Sequence, residues 1–185
     1  MTRRTTISIA AAAAWVVAGA STALADGNGR MFATKLSGYH ETPLTINSTG
    51  SGKFTARLAK DGASIAWTLS YRDLSSDVQQ AHIHFGRPAI TGQIVLFLCT
   101  NLGNAPGTVP LPQACPPAPA TISGTLTAAD VIARPTQGIA GGDAGFAAMV
   151  DAMRAGAAYA NVHTTNFPSG EIRGAVKPGD DEEDD

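Results

Sequence analysis

From Lys53 to Arg72 apolar and polar side chains alternate with a period of two. Phe54, Ala56 and Leu58 interleave with Lys53, Thr55 and Arg57, and then Ile65, Trp67, Leu69 and Tyr71 interleave with Ala66, Thr68, Ser70 and Arg72. In an extended chain successive side chains point to opposite faces, so each run reads as a strand with one face in a core. Lys60-Asp61-Gly62 between them is a hairpin turn. Further strands are predicted at 31–37, 80–85, 93–99, 120–126, 157–164 and 171–177. The run IVLFLC is apolar throughout, which predicts a strand covered on both faces or lying centrally in the sheet. One segment breaks the pattern: GDAGFAAMVDAMRAG places Phe146, Met149, Val150 and Met153 at helical spacing. Asp143 is its expected N-cap and Gly156 lies just past its end. The methionines read as core filler. A shorter helical turn is expected at 127–132, capped by Thr127. Many short strands with one late helix predict an all-β domain. The expected architecture is an antiparallel Greek-key sandwich or barrel whose helix covers one end.

The two ends of the chain read differently from this body. A basic start containing Arg3 and Arg4 precedes an alanine-rich apolar run that closes on Ala23-Leu24-Ala25. Residues 1–25 therefore read as a signal peptide for general or twin-arginine export, leaving no membrane span after cleavage. The expected location is secreted or periplasmic. Residues 26–179 suffice for one domain. Residues 180–185, DDEEDD, read as a disordered, solvated acidic tail, with weak capture of calcium or a basic partner as the other reading. The net charge of −2 conceals that tail, because positions 26–179 carry eleven Lys+Arg against nine Asp+Glu. No dense basic stripe is present, which argues against nucleic acid as a partner. Cys99 and Cys115 are the two cysteines. In an exported chain they predict a disulfide, and a loop of this size contributes about 3 kcal/mol by restricting the unfolded chain. CxxC spacing is absent, so the pair reads as structural.

Two of the four histidines stand one residue apart in AHIHFG. Strand parity puts His82 and His84 on one face and Ile83 and Phe85 on the other. With the apolar pair inward, the imidazoles face solvent with Cβ atoms about 7 Å apart, a spacing that suits a shared ion. In YANVHTTNFPSGEIRG, His163 has the same parity, outward with Tyr159 and Asn161 while Ala160 and Val162 face the core. If the two strands are neighbours, three imidazoles converge, and such a nitrogen-rich set suits copper or zinc and offers calcium nothing. His40 is a further candidate ligand and Glu41 beside it an alternative oxygen donor. Glu171 and Arg173 share a strand face two residues apart. They read as a solvent-side ion pair or, for Glu171, as support for a neighbouring histidine. The alternative to a metal site is that these side chains are hydrogen-bonded strand residues of a structural module.

Other chemistries find less. No GxSxG elbow is present, and Ser169 sits in a Pro-Ser-Gly turn where serine belongs for conformational reasons. A glycosidase needs two carboxylates, and the body contains only the glutamates Glu41 and Glu171. The glycines at 141–145 cap a helix instead of following a strand, so they form no phosphate loop.

The order ATKLSGYHETP, AHIHFG, GAAYANVHTTNFPSGEIRGAV resembles the CHRD domain, found in chordin and in many secreted bacterial single-domain proteins. The likeness runs from about Met31 to Lys177. Tyr159, Asn161, Val162, His163, Thr164, Pro168, Gly170, Glu171, Ile172, Arg173 and Gly174 carry its most specific block. His82, Ile83, His84 and Gly86 carry the second. In the first, Gly38, Glu41 and Pro43 match, while His40 stands where the family more often has glutamine, and Thr42 and Leu44 depart from its usual valine and proline. The loop between the cysteines looks like a subfamily insertion. The resemblance implies an immunoglobulin-like or related barrel in an extracellular or periplasmic setting. It also implies an extracellular protein partner, since chordin binds secreted growth factors. At motif level the chain is also similar to copper-zinc superoxide dismutase, which implies a copper redox enzyme with Arg173 attracting an anion. Too few histidines remain for that enzyme's bridging ligand and zinc site.

Overall fold

A computed structural model describes residues 29–179. The expected signal peptide and acidic tail lie outside the described residues. Eight strands form: β1 (Met31–Ser37), β2 (Ser51–Leu58), β3 (Ser64–Arg72), β4 (Val78–Phe85), β5 (Gln93–Thr100), β6 (Ala120–Thr127), β7 (Ala158–Thr164) and β8 (Ile172–Pro178). All eight expected strands are present, most of them displaced by one to three residues at an end. They join in one antiparallel sheet of order β5-β4-β7-β8-β1-β2-β3-β6 that curls into a nearly closed barrel.

The alternation that defined β2 and β3 is the alternation of burial. Phe54, Ala56, Ile65, Trp67, Leu69 and Tyr71 point inward and are buried, joined there by Ile83, Leu96, Val162 and Ile172. At the hairpin turn Gly62 takes φ +74°, a conformation that favours glycine. The helix α1 (Gly142–Arg154) buries Phe146, Met149, Val150 and Met153. Its N-cap is Gly141 and not Asp143, which sits in the first turn and can act there only through its charge on the helix dipole. Gly156 follows its end at φ +65°. The turn expected at 127–132 is a single 3-10 turn, Ala128–Asp130, where Thr127 and Asp130 form a capping box.

The sheet is open only between β5 and β6, and ordered segments seal that seam. Thr100 N donates to Gln113 O at 2.9 Å, Ile132 N donates to Val95 O at 2.9 Å, and the Arg134 Nε donates to Ile94 O. Cys99 and Cys115 form the expected disulfide with Cα atoms 5.1 Å apart, tying the end of β5 to the segment that leads into β6. IVLFLC in β5 is buried on both faces as expected, though its strand lies at the sheet's edge: the seam segments cover it. Reduction of the disulfide is expected to lower stability by about 3 kcal/mol. Chemical denaturation with and without a thiol reductant measures this, and coincident midpoints would refute it.

Candidate functional site

β4 and β7 are hydrogen-bonded neighbours, with His82 opposite Asn161, His84 opposite Tyr159 and Gln80 opposite His163. This register brings His82, His84 and His163 together, and one ring nitrogen from each lies within 4.8 Å of the others. The expected convergence is therefore present, on the outer face that parity indicated. The expected solvent exposure is not: His82 is 0 % exposed and His84 and His163 are 6 %. Three connections fold over this face. Residues 86–92 bring Gly92 O to His84, residues 165–170 bring Pro168 O to His163, and residues 38–50 bring Thr42 to Arg173. Periodicity says which face a side chain takes, but not whether loops later cover that face.

The hydrogen bonds fix which nitrogens are free. His84 Nδ1 lies 3.0 Å from Gly92 O and His163 Nδ1 lies 2.9 Å from Pro168 O. A carbonyl only accepts, so both Nδ1 atoms carry the proton and a neutral ring leaves its lone pair on Nε2. His82 Nε2 donates to Gln80 Oε1 at 3.2 Å, an oxygen that also accepts from Asn104 Nδ2 at 2.8 Å. His82 Nδ1 is thereby the lone-pair atom, and it is buried with no hydrogen-bond partner. The rings are neutral, since burial presses the pKa of His82 down to about 2, that of His84 to about 4 and that of His163 below its ordinary value. Neighbouring imidazoles press the first two further down. Three buried neutral rings thus cluster, each with one nitrogen held by an oxygen. That is how metal-binding histidines are commonly oriented.

Asn161, missing from the expected ligand set, sits at the centre. Its amide group is 3.0 Å from Nε2 of both His84 and His163. With lone pairs on both Nε2 atoms, the contact is satisfied by a cation shared with the amide oxygen or, in the metal-free protein, by the amide turned so that its NH2 donates. Its outward parity was readable beside His163; its role depends on the register with β4, which parity does not give. Around the cluster, Phe97 meets His82 edge to ring at 4.5 Å, and Tyr159 stacks on His84 at 4.5 Å. Arg173 lies over the far face of Tyr159, its Cζ 3.4 Å from the ring centroid, and also donates to Ile90 O at 2.7 Å and to Thr42 Oγ1.

The remaining candidates stand outside the cluster. His40 is exposed and meets Ser37 Oγ and Arg173 O, so it does not join the three rings. Glu41 is 6 % exposed, and its carboxyl abuts Gly170, where an added Cβ would come within 2.6 Å of Oε1. Burial raises its pKa to about 7 against the pull of Arg173. Glu171 and Arg173 form no ion pair, and neither faces solvent, at 0 % and 3 % exposed. Glu171 does not support a histidine either. Its carboxylate accepts from Ser48 Oγ, from Ser75 N and Oγ at 2.9 Å each, and from Thr164 Oγ1 at 2.6 Å. Burial alone would raise its pKa, but these bonds outweigh it and hold the carboxyl below its ordinary value.

A family model described as the CHRD domain matches residues 32–176. The chain belongs to the CHRD family. The match spans β1 to β8, so it includes the barrel, the three histidines and the loops that bury them. No curated protein and no solved structure matches this CHRD chain. Among its described residues no helix is long and apolar enough to cross a membrane, and the disulfide is compatible with an extracellular setting.

Proposed function

We propose that this CHRD domain is an exported binding module whose buried histidine cluster holds one copper or zinc ion. The observation that carries the reading is the set of committed nitrogens. His84 and His163 each spend Nδ1–H on a backbone carbonyl, His82 spends Nε2–H on Gln80, one nitrogen of each ring lies within 4.8 Å of the others, and His82 Nδ1 is buried and unpartnered. A buried acceptor with no donor is costly in a protein built only for stability, on the order of 1–3 kcal/mol. A cation among the three nitrogens removes that cost, and imidazole is a ligand that copper and zinc accept. Bonds of about 2.0–2.1 Å need nitrogens about 3.3–3.6 Å apart, so the rings close slightly on the ion. Asn161 Oδ1 is positioned to add an oxygen. The burial of all three rings favours holding a metal over catalysis with it, since a copper redox centre keeps a coordination position open to its substrate.

Metal-free protein prepared with a chelator, dialysed and titrated calorimetrically with Zn(II) or Cu(II) is expected to bind one ion per chain. His84→Ala and His163→Ala, checked for fold by circular dichroism, are each expected to abolish that stoichiometric binding. Binding that survives in both variants, or its absence from the parent protein, sinks the reading in favour of a metal-free interaction module. In that case the same variants lose stability equally with and without metal.

A further inference from the structure

On the outer face of β7, β8, β1 and β2, beside the histidine cluster, lies a groove of about 1100 Å³. Its rims are the 38–45 segment, with Tyr39 and Pro43, and the 86–92 segment, with Pro88. Its floor is small, with Ala33, Ala175 and Thr55. Out of this floor stand three exposed lysines, Lys35, Lys53 and Lys177. Lys35 and Lys53 are cross-strand partners, and Lys177 pairs with Ala33 two residues from Lys35. Like charges placed directly opposite on a sheet destabilise it, yet none of the three meets a carboxylate. The ion pairs among the described residues are Arg72–Asp73 and Arg154–Asp151. The one acidic side chain lining the groove, Glu41, is buried against Gly170.

What such a groove lacks is negative charge, and the sequence supplies it at the groove's edge. Gly179 lines the groove and its N–H donates to Met31 O at 3.0 Å, so the backbone is held against β1 up to the residue before DDEEDD. We propose that the groove is a docking site for an acidic peptide segment, and that residues 180–185 of the same chain are its occupant. The reach suffices. Six residues span up to about 20 Å when extended. Lys35 lies about 7 Å further along the sheet than Lys177, and Lys53 two strands away, about 10 Å across. A bound carboxylate chain would lie over Lys177, Lys35 and Lys53 and cover the approach to Tyr159 and Arg173. The proposal is independent of the metal reading.

The test uses the full mature chain and a variant in which all six acidic residues of 180–185 are changed to Asn or Gln. The probe is a capped DDEEDD peptide, followed by amide NMR shifts of Ala33, Lys35, Lys53 and Ala175 at 20 mM salt. The neutralised variant is expected to bind the probe at least tenfold tighter than the parent chain, because its groove is vacated. Binding is expected to vanish at 0.5 M salt and in Lys35→Gln/Lys53→Gln, a variant that relieves like-charge repulsion and so does not threaten the fold. Equal affinity in parent and neutralised chains overturns occupancy by the chain's own segment. So does a concentration dependence of the parent's groove shifts, which would mean docking into a second copy. No binding to the neutralised variant, or binding indifferent to the two lysines, overturns the docking site itself.

Discussion

Glu171→Ala is expected to destabilise the domain by at least about 3 kcal/mol. Its carboxylate, fully buried, takes hydrogen bonds from Ser48, from Ser75 twice and from Thr164. Those donors lie on the β1–β2 connection, the β3–β4 connection and β7, so one side chain gathers three separate stretches of backbone. A hydrogen bond to a charged group contributes about 1.5–3 kcal/mol, and each buried donor left without a partner costs about 1–3 kcal/mol. Two such losses in the middle of these ranges come to about 4 kcal/mol before the site relaxes. For a domain of this size that corresponds to a fall in melting temperature on the order of 10 °C. Glu171→Gln keeps the shape and one acceptor oxygen and should lose roughly half as much. Ser48→Ala removes one donor and should cost about 1 kcal/mol. Guanidinium denaturation of the three variants gives the ordering. A Glu171→Ala shift below about 1 kcal/mol would show that the carboxylate is not the point on which the loops close.

The different fates of Glu171 and the histidines show what a sequence of this kind makes legible. Alternation at Phe54–Leu58 and Ile65–Tyr71 is a local signal, since each residue needs only its neighbours to declare its face, and the strands follow it closely. Convergence of His82, His84 and His163 needed one non-local fact, that β4 and β7 are adjacent, and their shared parity made that a single yes-or-no question. The burial of the cluster needed a fact of another kind. Residues 38–50, 86–92 and 165–170 have no periodicity to read, and where they land is set by contacts such as Thr42 to Arg173 and Pro168 to His163. Glu171 and Arg173 illustrate the same limit. Two residues apart on one face, they read as an ion pair, yet each is claimed by a loop that the strand pattern does not describe.

That burial gives the second large effect, a loss of stability in acid by the metal-free protein. In the unfolded chain the imidazoles titrate near 6.5, whereas in the fold His84 accepts a proton only near pH 4 and His82 only near pH 2, with His163 also held low. Below pH 6.5 the unfolded state therefore binds protons that the folded state refuses, and stability must fall as pH falls through that window. The contribution is fully present above 6.5. Each unit of pKa difference is worth about 1.4 kcal/mol, so two to three such rings remove several kcal/mol by pH 4.5, a large share of the 5–15 kcal/mol typical of a domain. Glu41 opposes this. Its pKa is raised from 4.5 to about 7, so the fold takes up a proton there and gains stability as pH falls from 7 to 4.5. One carboxyl against two or three imidazoles leaves the net slope downward into acid, and Glu41→Gln should steepen it. Urea midpoints measured with chelator present at pH 7.5, 6.5, 5.5 and 4.5 are expected to fall steadily below 6.5, and His82→Phe should flatten the profile. An added metal ion that binds only the folded state raises the whole curve by mass action. That rise should hold down to about pH 4.5, because in the fold His82 and His84 stay unprotonated there. A metal-free profile that is flat between pH 7.5 and 4.5 would mean that the rings are not buried as neutral bases.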